Sequence, residues 1–224
     1  MMEISPDSLI FWSRGPITLN ATLIFTWMVM AQIVIVSWFS TRNLTGETTP
    51  SRWQTFLEAI VTVMENQIRE VTRQKPGRYL PFLGTLFLFI SISNLLSVVP
   101  GYKPPTGSLS TTGALAVSVF FAVPIFGISG RGFSGYLKHY IKPTVFMAPF
   151  HIIGEFSRTL ALAVRLFGNV MSGTMIGGVL ILFVPLFLPI VMQVFELMIG
   201  QIQAFIFTVL AAVYIASGTQ ASEE

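Results

Sequence analysis

The chain has 224 residues, of which 53% are hydrophobic and only 10% charged, well below the roughly 25% charged content of soluble domains. That composition excludes a soluble globular enzyme and reads as an integral membrane protein, in which the net charge of +3 is a topology signal and not a nucleic-acid footprint. There are no cysteines, hence no disulfide and no thiolate metal site, and the length leaves room for about five spans of about 20 residues without a soluble domain.

The predicted architecture is a single membrane domain over residues 1–224, taken here in chain order. Met1 to Pro16 carries Glu3 and Asp7 but no basic cluster or small-residue cleavage site, so it does not read as a signal peptide. The first span is predicted over 17–39, with Trp12, Trp27 and Trp38 as interface anchors and Arg42 as the stop. Residues 50–75 change character. Trp53, Phe56, Ile60, Met64, Ile68 and Val71 recur at helical intervals, with Arg52, Glu58, Glu65, Arg69 and Glu70 between them. This predicts an amphipathic helix on the membrane surface, the alternative being a helix packed on a partner's soluble domain.

A second span follows over 79–99, closed by Pro100-Gly101, with Ser91, Ser93, Asn94 and Ser97 read as interhelical hydrogen-bond glue. The third is predicted over 112–128, interrupted at Pro124 and followed by a loop, 129–142, that carries Arg131, Lys138, His139 and Lys142. Lys and Arg number six between Arg42 and Arg78 and three in the 129–142 loop, against one at the N-terminus, one at Lys103 and none near Pro185. Every second connection is basic, which places the N-terminus outside and the C-terminus in the cytoplasm.

The last two apolar segments, 148–184 and 186–217, are too long to stand upright. At 1.5 Å per residue the first runs roughly 55 Å, against a hydrocarbon core of about 30 Å. They are predicted as an antiparallel, strongly tilted pair, able to lie along the wall of a round partner in the membrane. The fold class is thus all-α, with about five membrane-embedded helices plus one amphipathic surface helix.

The first member of that pair holds the centre of the chain, Arg165, in an apolar setting. A guanidinium does not shed its proton and costs roughly 2.5 kcal/mol or more at mid-bilayer, so it marks a functional site. Glu155, Arg158, Arg165, Asn169 and Ser172 fall on one stripe of the helix; Gln193, Glu196, Gly200, Gln203 and Phe207 fall on one stripe of its partner. If Gln203 lies opposite Arg165, then Glu196, about 10 Å back along its helix, and Thr174, about 13 Å onward, share the outer side. Glu155 lies about 15 Å the other way, toward the cytoplasm. Arg158 reads as a snorkelling residue near that face, Gln203 and Asn169 as neutral hydrogen-bonding partners, and Gly173 and Gly177 as packing positions. His139 and His151 have no metal-ligand spacing.

Ser157-Arg158 followed by Leu160-Ala161-Leu162-Ala163-Val164-Arg165-Leu166-Phe167-Gly168-Asn169 resembles the signature of the a subunit of F-type ATP synthases. Gln203-Ala204-Phe205-Ile206-Phe207-Thr208-Val209-Leu210, then Tyr214-Ile215 and the acidic end Ala221-Ser222-Glu223-Glu224, resembles that family's last helix and tail, and Asn94-Leu95-Leu96 before Pro100 is a weaker match. The resemblance covers the C-terminal third well and the first eighty residues only in layout.

What the resemblance implies is a stator that passes ions to a rotating c-ring, with Arg165 separating two half-channels. Glu196, Gln203, Asn169, Thr174, Gln193, Glu155 and Arg158 would form the ion pathway. The implied partners are the c-ring, the peripheral-stalk b subunits, the catalytic head reached through the stalk, and the lipid bilayer, in the bacterial inner membrane and without nucleic acid. The chain by itself would be no enzyme and need no cofactor or metal; a Walker-type phosphate loop is absent from the sequence. One departure stands out. Some family members carry Glu at the position matching Thr174 and His at that matching Glu196, whereas here the carboxylate sits on the last helix, leaving proton and sodium both open as the coupling ion. A secondary transporter, which would show an internal repeat, and a structural membrane subunit without an ion path are the alternatives.

Overall fold

The computed structural model describes residues 7, 10–14, 17–42, 52–72, 76–141, 148–183 and 187–219. The link around Pro185, the acidic end 221–224, and Glu3, Arg73, Lys75 and Lys142 lie outside the described residues. In chain order the elements are β1 (Ile10–Arg14), β2 (Ile17–Asn20), α1 (Ala21–Arg42), α2 (Arg52–Thr72), α3 (Leu80–Leu95), α4 (Leu109–Ile141), α5 (Ala148–Phe183) and α6 (Leu188–Thr219). All the helices but α2 are long and apolar enough to cross a membrane, which makes this an all-α, multi-pass membrane protein.

Two stretches differ from the sequence reading. Residues 17–20, expected to open the first span, instead pair antiparallel with β1, Arg14 opposite Ile17. The cause is visible in the sequence: two short runs rich in β-branched and aromatic residues flank Gly15-Pro16, a dipeptide of the kind that favours turns. The second is the loop expected over 129–142. It is helical to Ile141, as the far end of α4, and the backbone leaves the helix only at Gly132 (φ 76°, ψ 163°). Gly132 takes the positive-φ region that glycine enters freely, so the chain can turn there and then resume the helix.

The core is built from one face each of α3, α4, α5 and α6, with Leu83, Ile90, Val119, Leu162, Leu166, Phe207 and Ile215 fully buried. Small residues let these helices approach closely, as membrane helices require in the absence of a hydrophobic drive. A Cβ at Gly218 of α6 would lie 2.9 Å from Val123 Cγ1 of α4. The amphipathic α2 turns Ile68 and Thr72 inward and lies along α3 and α6, leaving an apolar cleft of about 380 Å³ lined by Ile60, Met64, Phe87 and Phe205. By contrast α1 is peripheral and apolar all round, with Trp27, Val34 and Phe39 exposed.

Side-chain amides and hydroxyls tie the helices together. Asn94 of α3, buried, donates to the Gly200 carbonyl of α6 (2.8 Å) and accepts from Thr106 Oγ1 (2.9 Å) in the connection to α4. One turn away the Ser91 hydroxyl donates to Gln201 Oε1, and Gln201 Nε2 donates to the Ser91 carbonyl (3.0 Å). At the end of the membrane-spanning part of α4, Arg78 donates to Ser129 Oγ.

Replacing Asn94 by Leu leaves the Thr106 hydroxyl buried without an acceptor and crowds Gly200, where the Asn94 side chain already lies 3.1 Å from a notional Cβ. We expect a loss of about 1–3 kcal/mol, seen as a lower thermal unfolding midpoint of the detergent-solubilised protein; an unchanged midpoint would show that the tie carries no stability.

Candidate functional site

The pairing of α5 with α6 is antiparallel, and two contacts fix its register. Near one end Gly173 meets Glu196, so closely that a Cβ on Gly173 would lie 2.6 Å from Glu196 Oε1. Toward the other end the Arg158 guanidinium lies over the Tyr214 ring, 5.6 Å from its centroid. Interpolating between the two brings Arg165 to within one turn of Gln203 along α6.

The two are nonetheless placed differently. Arg165 is exposed on α5 and makes no hydrogen bond or ion pair among the described residues, whereas Gln203 is buried in α6 with Nε2 lacking an acceptor. Large apolar side chains are exposed along both helices, among them Leu160 and Val164 of α5 and Ile202 and Phe205 of α6. Only 11% of the most apolar stretch of α5 is buried, so most of this 36-residue helix faces outward.

On one side of Arg165 lies a cavity of about 560 Å³. Glu196 and Thr174 line it together, as do Gly173, Ser97, Tyr102 and Lys103. Glu196 is half-buried, its carboxyl seated where Gly173 has no side chain. Thr174 turns its hydroxyl back to the Val170 carbonyl (3.0 Å), the ordinary local bond of a helical Thr. Gln193 Nε2 reaches the Ser97 carbonyl (3.4 Å), so it braces α6 against the end of α3. Asn169, half-buried, offers its carbonyl to the Ser172 hydroxyl (3.0 Å).

Tyr102, in the connection between α3 and α4, packs edge-on against Phe25 of α1 at 4.8 Å between ring centroids. Burial pushes its phenol up to about 12, the nearby Ser93 hydroxyl offsetting part of the effect, so it stays neutral across the physiological range.

On the other side of Arg165 a narrow cleft of about 20 Å³ is lined by Glu155, Arg158 and Thr159 of α5, Tyr214 and Ser217 of α6, and Val119 and Val123 of α4. The structure thus brings Glu155 together with Arg158, and Glu196 together with Thr174, at opposite ends of the helix pair. Sequence reasoning missed Ser97, Tyr102 and Lys103 as cavity wall, because they lie on a connection more than ninety residues from Glu196 in the chain. It also read Gly173 as packing only; the signal for its role was a glycine one residue from Thr174 on a helix whose partner carries a lone carboxylate.

These features define a class, the multi-pass membrane proteins that hold ionisable groups between long helices. The family model for the ATP synthase A chain matches residues 23–216. Similar proteins include ATP synthase subunit a 2 of Acaryochloris marina, 58% identical over 222 residues that cover 99% of this chain and 95% of the relative. ATP synthase subunit a of Albidiferax ferrireducens is 56% identical over 219 residues, 98% and 95% of the two chains, and ATP synthase subunit a 1 of Prosthecochloris aestuarii is 54% identical over the whole of both. The chain belongs to the ATP synthase A chain family.

Because Gly173 leaves the space that the Glu196 carboxyl occupies, Gly173→Leu should displace that carboxyl and fill part of the cavity. In this cysteine-free chain the cavity can be probed with Thr174→Cys. A water-soluble maleimide should label Cys at 174 several-fold more slowly when Gly173→Leu is added; equal rates would show that position 174 is reached by another route.

Proposed function

We propose that the chain is the ion-translocating stator subunit of a rotary F-type ATP synthase of the bacterial inner membrane. In this reading it gives a ring of c subunits two offset half-channels separated by Arg165. The observation that carries the proposal is the placement of Arg165: a permanent charge exposed on an apolar helix, with a cleft on either side along the same helix pair, one lined by Glu196 and the other by Glu155. The relatives' name supports it, since each is called an ATP synthase subunit.

The mechanism follows from electrostatics. A rotor carboxylate crosses lipid only when neutralised by its ion, because an unpaired charge in hydrocarbon costs several kcal/mol. Opposite the Arg165 guanidinium the ionised carboxylate is favoured, so the ion is released there. The same charge repels a cation that would pass directly from one cleft to the other. An ion is therefore taken up on one side, carried round by the ring and released on the other. Glu196 with Thr174 serves the outer route, supported by Gln193 and Asn169, and Glu155 with Arg158 the cytoplasmic one; Gln203 lies level with the arginine as a neutral acceptor. The chain contributes no nucleotide chemistry. That belongs to the catalytic head, with which it is coupled through the peripheral-stalk b subunits.

The apolar, outward surface of α5 is the natural seat of the ring. At 36 residues, roughly 54 Å, α5 exceeds the hydrocarbon thickness of about 30 Å and has to tilt, which lets it follow a curved wall. The topology proposed has the N-terminus outside and the C-terminus in the cytoplasm.

Arg165→Ala should abolish ATP-driven ion pumping in membrane vesicles while leaving the complex assembled, and Arg165→Lys should fail too, since an ammonium deprotonates when desolvated and lacks the planar fork. Retained pumping in either variant would overturn the assignment. Glu196→Gln should slow uptake from the outer side, and Glu155→Gln should act on the cytoplasmic side. Cysteines placed at 193 and 196 should react with impermeant reagents from outside; labelling from the cytoplasm alone would invert the topology.

A further inference from the structure

The start of α3 and the end of the α4 span meet at one corner of the fold. Tyr79 is buried there against Phe126 of α4, 5.2 Å between ring centroids, and Phe82 lies 6.1 Å from the same ring. Arg78, the residue before Tyr79, is exposed and donates to the exposed Ser129 Oγ, where the apolar span of α4 closes. Three residues beyond Ser129 the chain turns at Gly132, and α4 then runs on to Ile141.

The charge that the sequence brings to this corner has one sign. Arg73, Lys75 and Arg78 precede α3, and Arg131, Lys138 and Lys142 follow the α4 span, while no Asp or Glu occurs between Glu70 and Glu155. Among the described residues Arg78 makes no ion pair, and its partner Ser129 is a neutral hydroxyl. A guanidinium has five N–H donors, so most of them are left for another acceptor.

From Ser129 toward mid-membrane, Ile125, Phe121 and Val117 recur every four residues along one row of α4, and all of them are exposed. The row from Ser129 to Val117 is roughly 18 Å long, and half of a hydrocarbon core of about 30 Å is about 15 Å. An apolar row as long as one leaflet is deep thus leads to an arginine that no carboxylate among the described residues pairs with. Its complement is an amphiphile with a negative charge at one end. A neutral lipid would cover the row equally well but leave Arg78 without a counter-charge.

We propose that this corner binds an anionic phospholipid, its phosphate held by Arg78 and its acyl chains lying along Ile125, Phe121 and Val117. The planar guanidinium fork matches phosphate oxygens in pairs, and basic residues next to a span attract anionic headgroups. Arg131, two residues past Ser129, adds a second positive charge on the same connection. The inference is independent of the ion route, since none of these residues lines either cleft beside Arg165.

The test uses the assembled complex in vesicles, with Ile125→Cys as its one cysteine, carrying a bimane fluorophore. Quenching by brominated phosphatidylglycerol is compared with quenching by brominated phosphatidylcholine at equal mole fraction. The anionic lipid should be preferred at position 125 by about three- to ten-fold. Arg78→Gln should remove the preference, and Arg78→Lys should keep it because the charge stays. Raising the ionic strength from about 0.01 M to about 1 M shortens the screening length from about 30 Å to about 3 Å and should shrink the preference without any substitution at the corner, which decides the matter if Arg78→Gln fails to assemble. Equal quenching by the two lipids overturns the site. So does a preference that survives Arg78→Gln or high salt unchanged, and so does its loss in Arg78→Lys as fully as in Arg78→Gln, which would mark a packing defect. Quenching by neither lipid would show that a helix of a partner subunit covers the row, and would overturn the site as well.

Discussion

The Asn94 side chain is the interaction on which the arrangement depends. Its amide nitrogen holds the α6 backbone at Gly200 and its amide oxygen holds Thr106. A membrane interior offers no water to satisfy these groups, so each has to find a protein partner. Asn is suited to the task because one short side chain presents a donor and an acceptor at once. The consequence reaches beyond stability. By fixing α6 and the α3–α4 connection to the same point on α3, Asn94 sets the distance between Glu196 and the segment that carries Tyr102 and Lys103. The cavity is the space left between those two walls once α5 has closed its third side.

Gly200 and Gly173 do complementary work on α6 and α5. At Gly200 the missing side chain admits Asn94, and at Gly173 it admits the carboxyl of Glu196. Both sites put a polar group against a bare helix backbone, where a larger residue would force the helices apart. Elsewhere in the interface the packing is apolar, through Leu162, Leu166, Ala204 and Phe207. Polar groups are therefore admitted at a few chosen heights along the pair, and the apolar layers between them keep the two clefts from merging. Arg165 stands between the two clefts, near the level of the buried Gln203, and is itself exposed. Its exposure is what the proposed role demands, since a guanidinium satisfied within its own chain would have no charge left to offer a passing carboxylate.

Much of this was legible in the sequence because the lipid imposes strong rules. Long apolar runs become helices, as in α1, α3, α5 and α6, and an ionisable residue inside one is singled out at once, as Arg165 and Glu196 were. The polar residues of α3 were read as glue, and Ser91 and Asn94 make those bonds. Two kinds of feature escaped. A basic stretch was read as a loop at 129–142, where neighbouring residues of α4 continue the helix and only Gly132 departs from it. The second is tertiary: nothing in Tyr102-Lys103-Pro104 announces that it borders Glu196, since that contact depends on the closure of four helices. The hairpin of β1 and β2 is intermediate, with its turn pair visible but outweighed by the apolar run behind it.

The separation of the clefts also constrains how the pair can move. An antiparallel register set at Gly173 with Glu196 and at Arg158 with Tyr214 is pinned near both ends, so α5 cannot slide along α6 without breaking one contact or the other. The 560 Å³ cavity and the 20 Å³ cleft lie toward opposite ends of the helix pair. On the proposed reading this is a requirement, because a subunit that alternated between open sides would conduct the ion without turning anything. With both routes standing and the arginine fixed between them, the moving part has to be a second body that carries the ion past Arg165. The exposed apolar face of α5 is where such a body would bear.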